Sequence, residues 1–509
     1  MGLPIPVPPW LPMLPAVLDL DRLRGVEVPS GAVAIGLVDL PELQRQDPLV
    51  LDLKGAGHAA VFGAGNSGKT TLLTSTALAL ARSSSPEDLS IYCLDAASGG
   101  LAPLQALPHC GGVVMLDEEE RVHRLLRLLL RRVEQRGARA GAQAPRDPGP
   151  TTTVLLLDDF GSFAQQYDRP GTGSPYEQLQ QILSAGRAAG VHVVLTASRR
   201  GALPGALATH FGQRLVLRMP TEEDMLSLGL DSKTVRGARL GVGSGFTQDS
   251  KEFHIAVPTD GDAVAPLEQA AGAIRHEGPS PVTQIEVLPA EVPRTSLDPG
   301  DGRHAVPLGI SDEHLGPATV DLSELHFLVV GPYRSGRSTA LATLAHGVRQ
   351  ADPAAALHLL APRRSPLREL DLWSSKATSA DACAELAGSL LERLESGELD
   401  TTPSVLFIDD GGELADAMSV TRLERLVRIA RDSPLRVVAS VEAGSARGIG
   451  IAWIRELRRE GHGLLLQPDL AADGDLLAAR LPRRVSVPLT PGRGFLVVRG
   501  SAELIHIAS

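Results

Sequence analysis

The chain has 509 residues, a net charge of -11, and 43% apolar against 21% charged residues. That balance excludes a mainly disordered or collagen-like chain, and the acidic excess excludes a surface that is basic throughout. Length allows roughly two to four domains. Arginine carries nearly all the basic charge, since Lys54, Lys69, Lys233, Lys251 and Lys376 are the only lysines.

In chain order, the N-terminus MGLPIPVPPWLPMLP is apolar but broken by prolines and has no basic leader, so it does not read as a signal peptide. No apolar run approaches the roughly 20 residues of a membrane helix, and the chain reads as cytosolic, with any membrane association coming through a partner. Apolar runs at 59–62, 91–95, 154–158, 192–197 and 215–218 are predicted strands, alternating with helical patterns at 70–82, 119–136 and 175–188. The stretch 137–153 reads as a surface insertion, and the proline-rich stretch 258–304 as a linker. Beyond it, strands are predicted at 327–330, 357–360, 405–409 and 436–440, and helices at 338–350, 380–396 and 420–432. Cys93, Cys110 and Cys383 cannot build a disulfide framework and point to a reducing compartment.

The two halves repeat one another. Leu14-Pro15-Ala16, Val33-Ala34-Ile35-Gly36-Leu37 and Leu51-Asp52-Leu53 precede a strand into Gly63-x-x-x-x-Gly68. Leu288-Pro289-Ala290, Val306-Pro307-Leu308-Gly309 and Val320-Asp321-Leu322 precede a strand into Gly331-x-x-x-x-Gly336. Val154–Asp159 is likewise matched by Val405–Asp410. Order and spacing persist, so the chain is read as two α/β domains, 1–280 and 281–509, each a mainly parallel sheet flanked by helices.

Residues Gly63, Ala64, Gly65, Asn66, Ser67, Gly68, Lys69 and Thr70 satisfy G-x-x-x-x-G-K-[ST], between a predicted strand and a helix opening at Thr71. Glycines let successive N–H groups face a phosphate, and the helix N-terminus adds partial positive charge. Lys69 is assigned to the β- and γ-phosphates of ATP, and the Thr70 hydroxyl to Mg²⁺. Asp158, at the end of a buried strand, is read as the second Mg²⁺-side residue. Asp159 stands where a hydrolysing ring ATPase commonly has a glutamate that polarises the attacking water and is one methylene shorter, so binding is expected more firmly than fast turnover. Ser198-Arg199-Arg200 end the next strand and either sense the γ-phosphate or simply terminate it; Arg187 is a candidate finger for a neighbouring subunit.

The second motif, Gly331-Pro-Tyr-Arg-Ser-Gly336-Arg337-Ser338, keeps the frame but replaces lysine by arginine. A planar guanidinium does not act as the same compact donor in a tight loop, and Pro332 is expected to remove one cradle N–H. Asp409 and Asp410 follow the matching strand. Weak nucleotide binding, a structural copy, and atypical activity all remain open; the reading adopted is a non-hydrolysing domain.

Together these segments resemble the FtsK/SpoIIIE group of P-loop ATPases, and more closely the tandem C-terminal ATPase domains of EccC, the motor of actinobacterial type VII secretion. The resemblance rests on Ile35-Gly36-Leu37-Val38-Asp39 through Gln44-Arg45-Gln46-Asp47-Pro48-Leu49, the phosphate loop, Tyr92-Cys93-Leu94-Asp95 through Gly99-Gly100-Leu101, Leu107-Pro108-His109 with Gly111-Gly112-Val113-Val114, and Gly186-Arg187-Ala188-Ala189-Gly190-Val191-His192. It implies two RecA-like domains working in a ring or chain of ATPases. A full-length EccC-type protein carries transmembrane helices and a more active ATPase domain upstream, so this chain is similar to a detached C-terminal half. The implied partners are an upstream membrane-anchored ATPase subunit or further copies of the chain, and a secreted protein bearing an export signal. Duplex DNA, cargo of the wider group, ranks lower, because no winged-helix module with clustered basic residues is apparent. A RecA-fold scaffold without enzymatic activity is the third reading.

Overall fold

The computed structural model describes residues 11–137, 150–168, 173–260, 263–297, 305–399, 403–448, 451–482, 485 and 487–509. Most of the predicted 137–153 insertion lies outside the described residues. Contacts divide the chain into Met1–Glu286 and Val287–Ser509. The division falls beyond residue 280 because Val282 and Ile285 bury in the first unit, where the Ile285 N–H donates to Gly111 O at 2.8 Å.

In the first unit the main strands are β1 (Ala32–Leu40), β2 (Arg45–Asp52), β3 (Ala59–Phe62), β4 (Leu89–Asp95), β5 (Cys110–Met115), β6 (Thr152–Asp158), β7 (Val191–Ala197), β8 (Gln213–Leu217), β9 (Ser244–Thr247) and β10 (Glu252–Val257). Their spatial order is β2-β1-β10-β9-β8-β3-β7-β6-β4-β5. From β8 to β5 every pairing is parallel, and from β2 to β8 every pairing is antiparallel. The five continuous apolar runs predicted from sequence are parallel strands; β5, parallel too, is not among them because Gly111 and Gly112 interrupt its apolar run. All four residues of β3 and all seven of β7 are buried, as expected where helices cover both faces.

One face is covered by α1 (Lys69–Ser83) through Leu72, Leu73, Ala77 and Leu78. The other is covered by α2 (Glu119–Gly137), α3 (Phe160–Tyr167) and α4 (Pro175–Ala185). Val122, Leu125, Leu126, Leu129 and Val133 form the buried stripe of α2 at helical spacing. Arg132 is buried with them, its Nη1 donating to the hydroxyls of Ser90 at 2.9 Å and Thr153 at 3.0 Å. Helix α4 starts at a Ser174 cap accepting from the Glu177 N–H at 3.2 Å, with Pro175 in its first turn. Its α-helical part stops at Ala185, short of the predicted 188, and tightens into a 3₁₀ turn over Gly186–Ala189.

The second unit repeats the arrangement with β11 (Ala305–Ser311), β12 (Pro317–Asp321), β13 (Phe327–Val330), β14 (Ala356–Leu360), β15 (Ser375–Ala377), β16 (Ser404–Ile408), β17 (Leu435–Val441), β18 (His462–Leu466), β19 (Arg493–Val498) and β20 (Ser501–Ile507). Their order, β12-β11-β20-β19-β18-β13-β17-β16-β14-β15, is the first order with each label advanced by ten. Helix α5 (Arg337–Ala351) covers one face, and α6 (Ala380–Glu395) and α7 (Ala417–Ala430) the other. Among the described residues no helix is long and apolar enough to cross a membrane.

Candidate functional site

Parallel pairing brings the C-terminal ends of β3, β4, β6 and β7 to one edge of the first sheet, the position where open α/β sheets hold ligands. There β3 gives way to the loop Gly63–Gly68, and Gly68 enters α1 at φ 104°, a backbone that favours glycine. No side chain caps the first turn of α1, so its N–H groups stay available to an anion. A Cβ on Gly65 would meet nothing within 4 Å, so the cradle mouth is open there. The loop is stapled from behind by the antiparallel wing. The Gly243 N–H donates to Ser67 O at 3.0 Å, and the Ile255 N–H to Gly243 O at 3.0 Å.

Lys69 lies over this loop, its Nζ donating to Gly63 O at 2.9 Å and Ala64 O at 2.8 Å. Burial pulls its pKa below the usual lysine value, while the carboxylates of Asp158 and Asp159 pull the other way. The Thr70 hydroxyl donates to Asp158 Oδ2 at 2.5 Å, and the Thr196 hydroxyl donates to Asp158 Oδ1 at 2.6 Å. Thr196 Oγ1 also accepts the Asp159 N–H at 2.8 Å, holding a residue at the unusual φ of 61°. The Asp159 carboxylate faces Ser162, whose hydroxyl donates to it at 2.6 Å.

Beside these groups lies a cleft of ≈ 860 Å³ lined by Ala64, Gly65, Asp159, Ser162, Ser198 and Arg199 among others. Ser198 and Arg199 therefore share the cleft with the loop, whereas Arg200 is turned to the carbonyl of Ser227. Arg187 lies toward the opposite end of the sheet and donates to Gly55 O at 2.6 Å. Thr71 follows Thr70 in the first turn of α1, and its carbonyl accepts from the Thr74 hydroxyl.

An ammonium, a hydroxyl and a carboxylate thus converge on a glycine cradle at a helix N-terminus. That donor set fits a nucleotide polyphosphate, with a hard cation held by Thr70 and Asp158. Sequence reasoning missed three supports. Thr196 reads simply as a buried strand residue. Asp95, 1% exposed, accepts from Ala97 N–H and Leu101 N–H, each at 3.0 Å, and shapes the loop that passes Thr70. Gly243 lies far away in sequence, in a glycine-rich turn.

The second unit places Arg337 where Lys69 stands. Its Nη1 donates to Gly331 O at 2.9 Å and its Nη2 to Asp410 at 2.8 Å. Asp409 accepts from the hydroxyls of Ser338 at 2.9 Å, Ser365 at 2.6 Å and Ser440 at 2.6 Å. Burial and Asp409 raise the pKa of Asp410, with Arg337 opposing. The expectation that Pro332 removes a cradle donor is corrected. At the matching position the Ala64 N–H donates to Arg218 O at 2.9 Å, so proline forfeits a bond to the neighbouring strand and not a phosphate contact.

Residues 30–259, spanning β1 to β10 and the whole cradle, match the FtsK/SpoIIIE family. The first unit is an FtsK/SpoIIIE domain. Over 98% of its length the chain is 30% identical to the ESX-4 secretion system protein EccC4 of Mycobacterium tuberculosis, of which it spans 42%. It is 26% identical to the ESX-1 secretion system protein EccCb1 of Mycolicibacterium smegmatis, covering 98% of this chain and 92% of that one. The structure of Thermomonospora curvata EccC ATPases 2 and 3, in complex with a signal sequence peptide, matches at TM-score 0.68 and 26% identity, covering 98% of this chain and 99% of that one. Two P-loop ATPase domains in tandem are therefore the architecture of the whole chain, and the FtsK/SpoIIIE assignment implies nucleotide binding.

Proposed function

We propose that the chain is an ATP-binding, slowly hydrolysing motor or regulatory component of a type VII secretion-like system, coupling nucleotide state to substrate and partner docking. The observation that carries this reading is the Lys69–Thr70–Asp158–Thr196 constellation beside an open cleft, in a chain similar along its length to EccC proteins. Lys69 would neutralise the β- and γ-phosphates, while Thr70 and Asp158 would hold Mg²⁺. Bound there, the cation would supply charge neutralisation at the phosphate oxygens. Thr196 fixes the Asp158 carboxylate and the Asp159 backbone together. Asp159 would orient water, and its short, Ser162-bound carboxylate supports slow turnover.

The proposed partners are an upstream membrane-anchored ATPase subunit or further copies of the chain, together with a secreted protein carrying an export signal. The signal peptide bound by the Thermomonospora curvata relative supports the last of these. Steady-state turnover, measured alone, with helical-hairpin export substrates and with duplex DNA at low salt, tests the reading. Stimulation by the export substrate is expected. Stimulation by DNA alone would move the function to DNA translocation, the alternative within the FtsK/SpoIIIE family. No turnover under any condition, even with an upstream motor domain added, would leave a scaffold.

A further inference from the structure

The two cradles share a backbone but differ in what their basic residue touches. The loops carry matching left-handed residues, Asn66 at φ 55° and Arg334 at φ 62°, and matching glycines, Gly68 at 104° and Gly336 at 103°. Both are stapled from behind, Gly492 donating to Ser335 O at 2.9 Å as Gly243 does to Ser67 O. The second loop therefore keeps the shape of a phosphate cradle. In the first, Lys69 rests on two neutral carbonyls, acceptors that an incoming phosphate can replace. In the second, Arg337 is held by a carboxylate.

We propose that the Arg337–Asp410 ion pair is an internal plug that fills the second cradle and closes it to Mg²⁺-polyphosphate ligands. The pair spans 2.8 Å, with the arginine side chain 11% and the aspartate 30% exposed, so it is partly shielded from the solvent screening that weakens surface pairs. A polyphosphate would have to break a charge-assisted bond and would then face the released Asp410 carboxylate, a like charge. The Mg²⁺ side is more heavily engaged too, since three serine hydroxyls take three of the roughly four acceptor sites of Asp409, where Asp158 receives two threonine hydroxyls. Ser365, the additional hydroxyl, belongs to the loop after β14. Losing a charge-assisted bond of this kind corresponds to roughly a tenfold to hundredfold change in affinity. Any nucleotide response of the chain accordingly arises in the first unit.

The test uses the full chain with Lys69→Ala and Thr70→Ala together, which removes the first cradle, and Mg²⁺·ATPγS as the probe in equilibrium dialysis. The double variant is expected to show no saturable binding. Adding Asp410→Asn, or separately Arg337→Lys, is expected to restore one saturable equivalent per chain. Arg337→Lys removes the guanidinium that bridges Gly331 O and Asp410 and reads the plug independently, should Asp410→Asn perturb folding. Saturable binding by the double variant, or no gain from either added substitution, overturns the proposal. The inference does not depend on the proposed function: an unmodified chain that binds nothing defeats the nucleotide reading of the first cradle, yet the gain on unplugging is still expected.

Discussion

Thr196→Ala isolates the residue on which both aspartates of the first site depend. The hydroxyl donates to Asp158 Oδ1 at 2.6 Å and accepts the Asp159 N–H at 2.8 Å, in a side chain with no solvent exposure. Removing it costs a hydrogen bond to a carboxylate, about 1.5–3 kcal/mol, and leaves a buried N–H unsatisfied, about 1–3 kcal/mol. Because one oxygen serves both bonds the losses overlap, and a combined loss of about 2–4 kcal/mol is expected. For a domain of this size that lowers its melting transition by roughly 5–15 °C. Freed from one of its two threonines, Asp158 should also hold Mg²⁺ less well, weakening Mg²⁺-dependent nucleotide binding by about ten- to a hundredfold. Thr196→Ser is the control, because Ser440 makes both corresponding bonds in the second unit, at 2.6 Å to Asp409 and 3.0 Å from the Asp410 N–H. Calorimetric melting and nucleotide titration of both variants decide the matter. If Thr196→Ala and Thr196→Ser behave alike in both assays, the hydroxyl does not organise the site.

Acid lability should follow from His58, whose Nδ1 accepts the Val193 N–H at 3.0 Å, so that Nε2 carries the proton bonded to Leu183 O at 3.0 Å. Only the neutral ring makes both bonds, and burial, with His192 beside it, lowers its pKa to about 4. The unfolded chain binds this proton first as pH falls, so the contribution is complete above about 6.5 and up to about 3 kcal/mol is lost by about pH 4. Melting from pH 7 to 4.5 should show a slope that His58→Gln reduces; an unchanged slope would refute the assignment. Gly243→Ala should loosen the staple behind the phosphate loop, because φ is 81° and the added Cβ would meet Ile255 Cγ1 at 3.0 Å. Nucleotide affinity is expected to fall severalfold without contact to the ligand, read by titration, and unchanged affinity would remove Gly243 from the site's support. Leu125→Ala, in the buried stripe of α2, should cost about 2–5 kcal/mol while leaving nucleotide affinity within a factor of two once folded; a melting curve and a titration check both halves.

The features legible in the sequence are those whose signal is local. Most of the parallel strands are unbroken apolar runs, the phosphate loops are contiguous motifs, and the aspartate pairs sit at strand ends. The parallel strands Cys110–Met115 and Ser375–Ala377 lack such a run, and they and His462–Leu466 escaped. The antiparallel wing escaped because β9 and β10 are short, flanked by glycines and polar residues, and gain their strand character from pairing with β8 and β1. Thr196 and Gly243 escaped because their roles come from residues tens to hundreds of positions away. Arg337 was visible as a departure from lysine, but its partner was not. Asp410 reads as half of a Mg²⁺ pair until the fold brings the guanidinium to it. Pro332 misled for a related reason: the motif does not say which N–H of the loop faces the cradle and which faces the adjoining strand.

The measurement that bears most directly on the account is saturable, Mg²⁺-dependent binding of ATPγS to the full chain and to its Lys69→Ala variant. Lys69 is predicted to be the one ammonium serving a phosphate cradle, so the unmodified chain should bind one equivalent and lose at least a hundredfold in affinity on substitution. No saturable binding by the unmodified chain, or equal binding by Lys69→Ala, would contradict it.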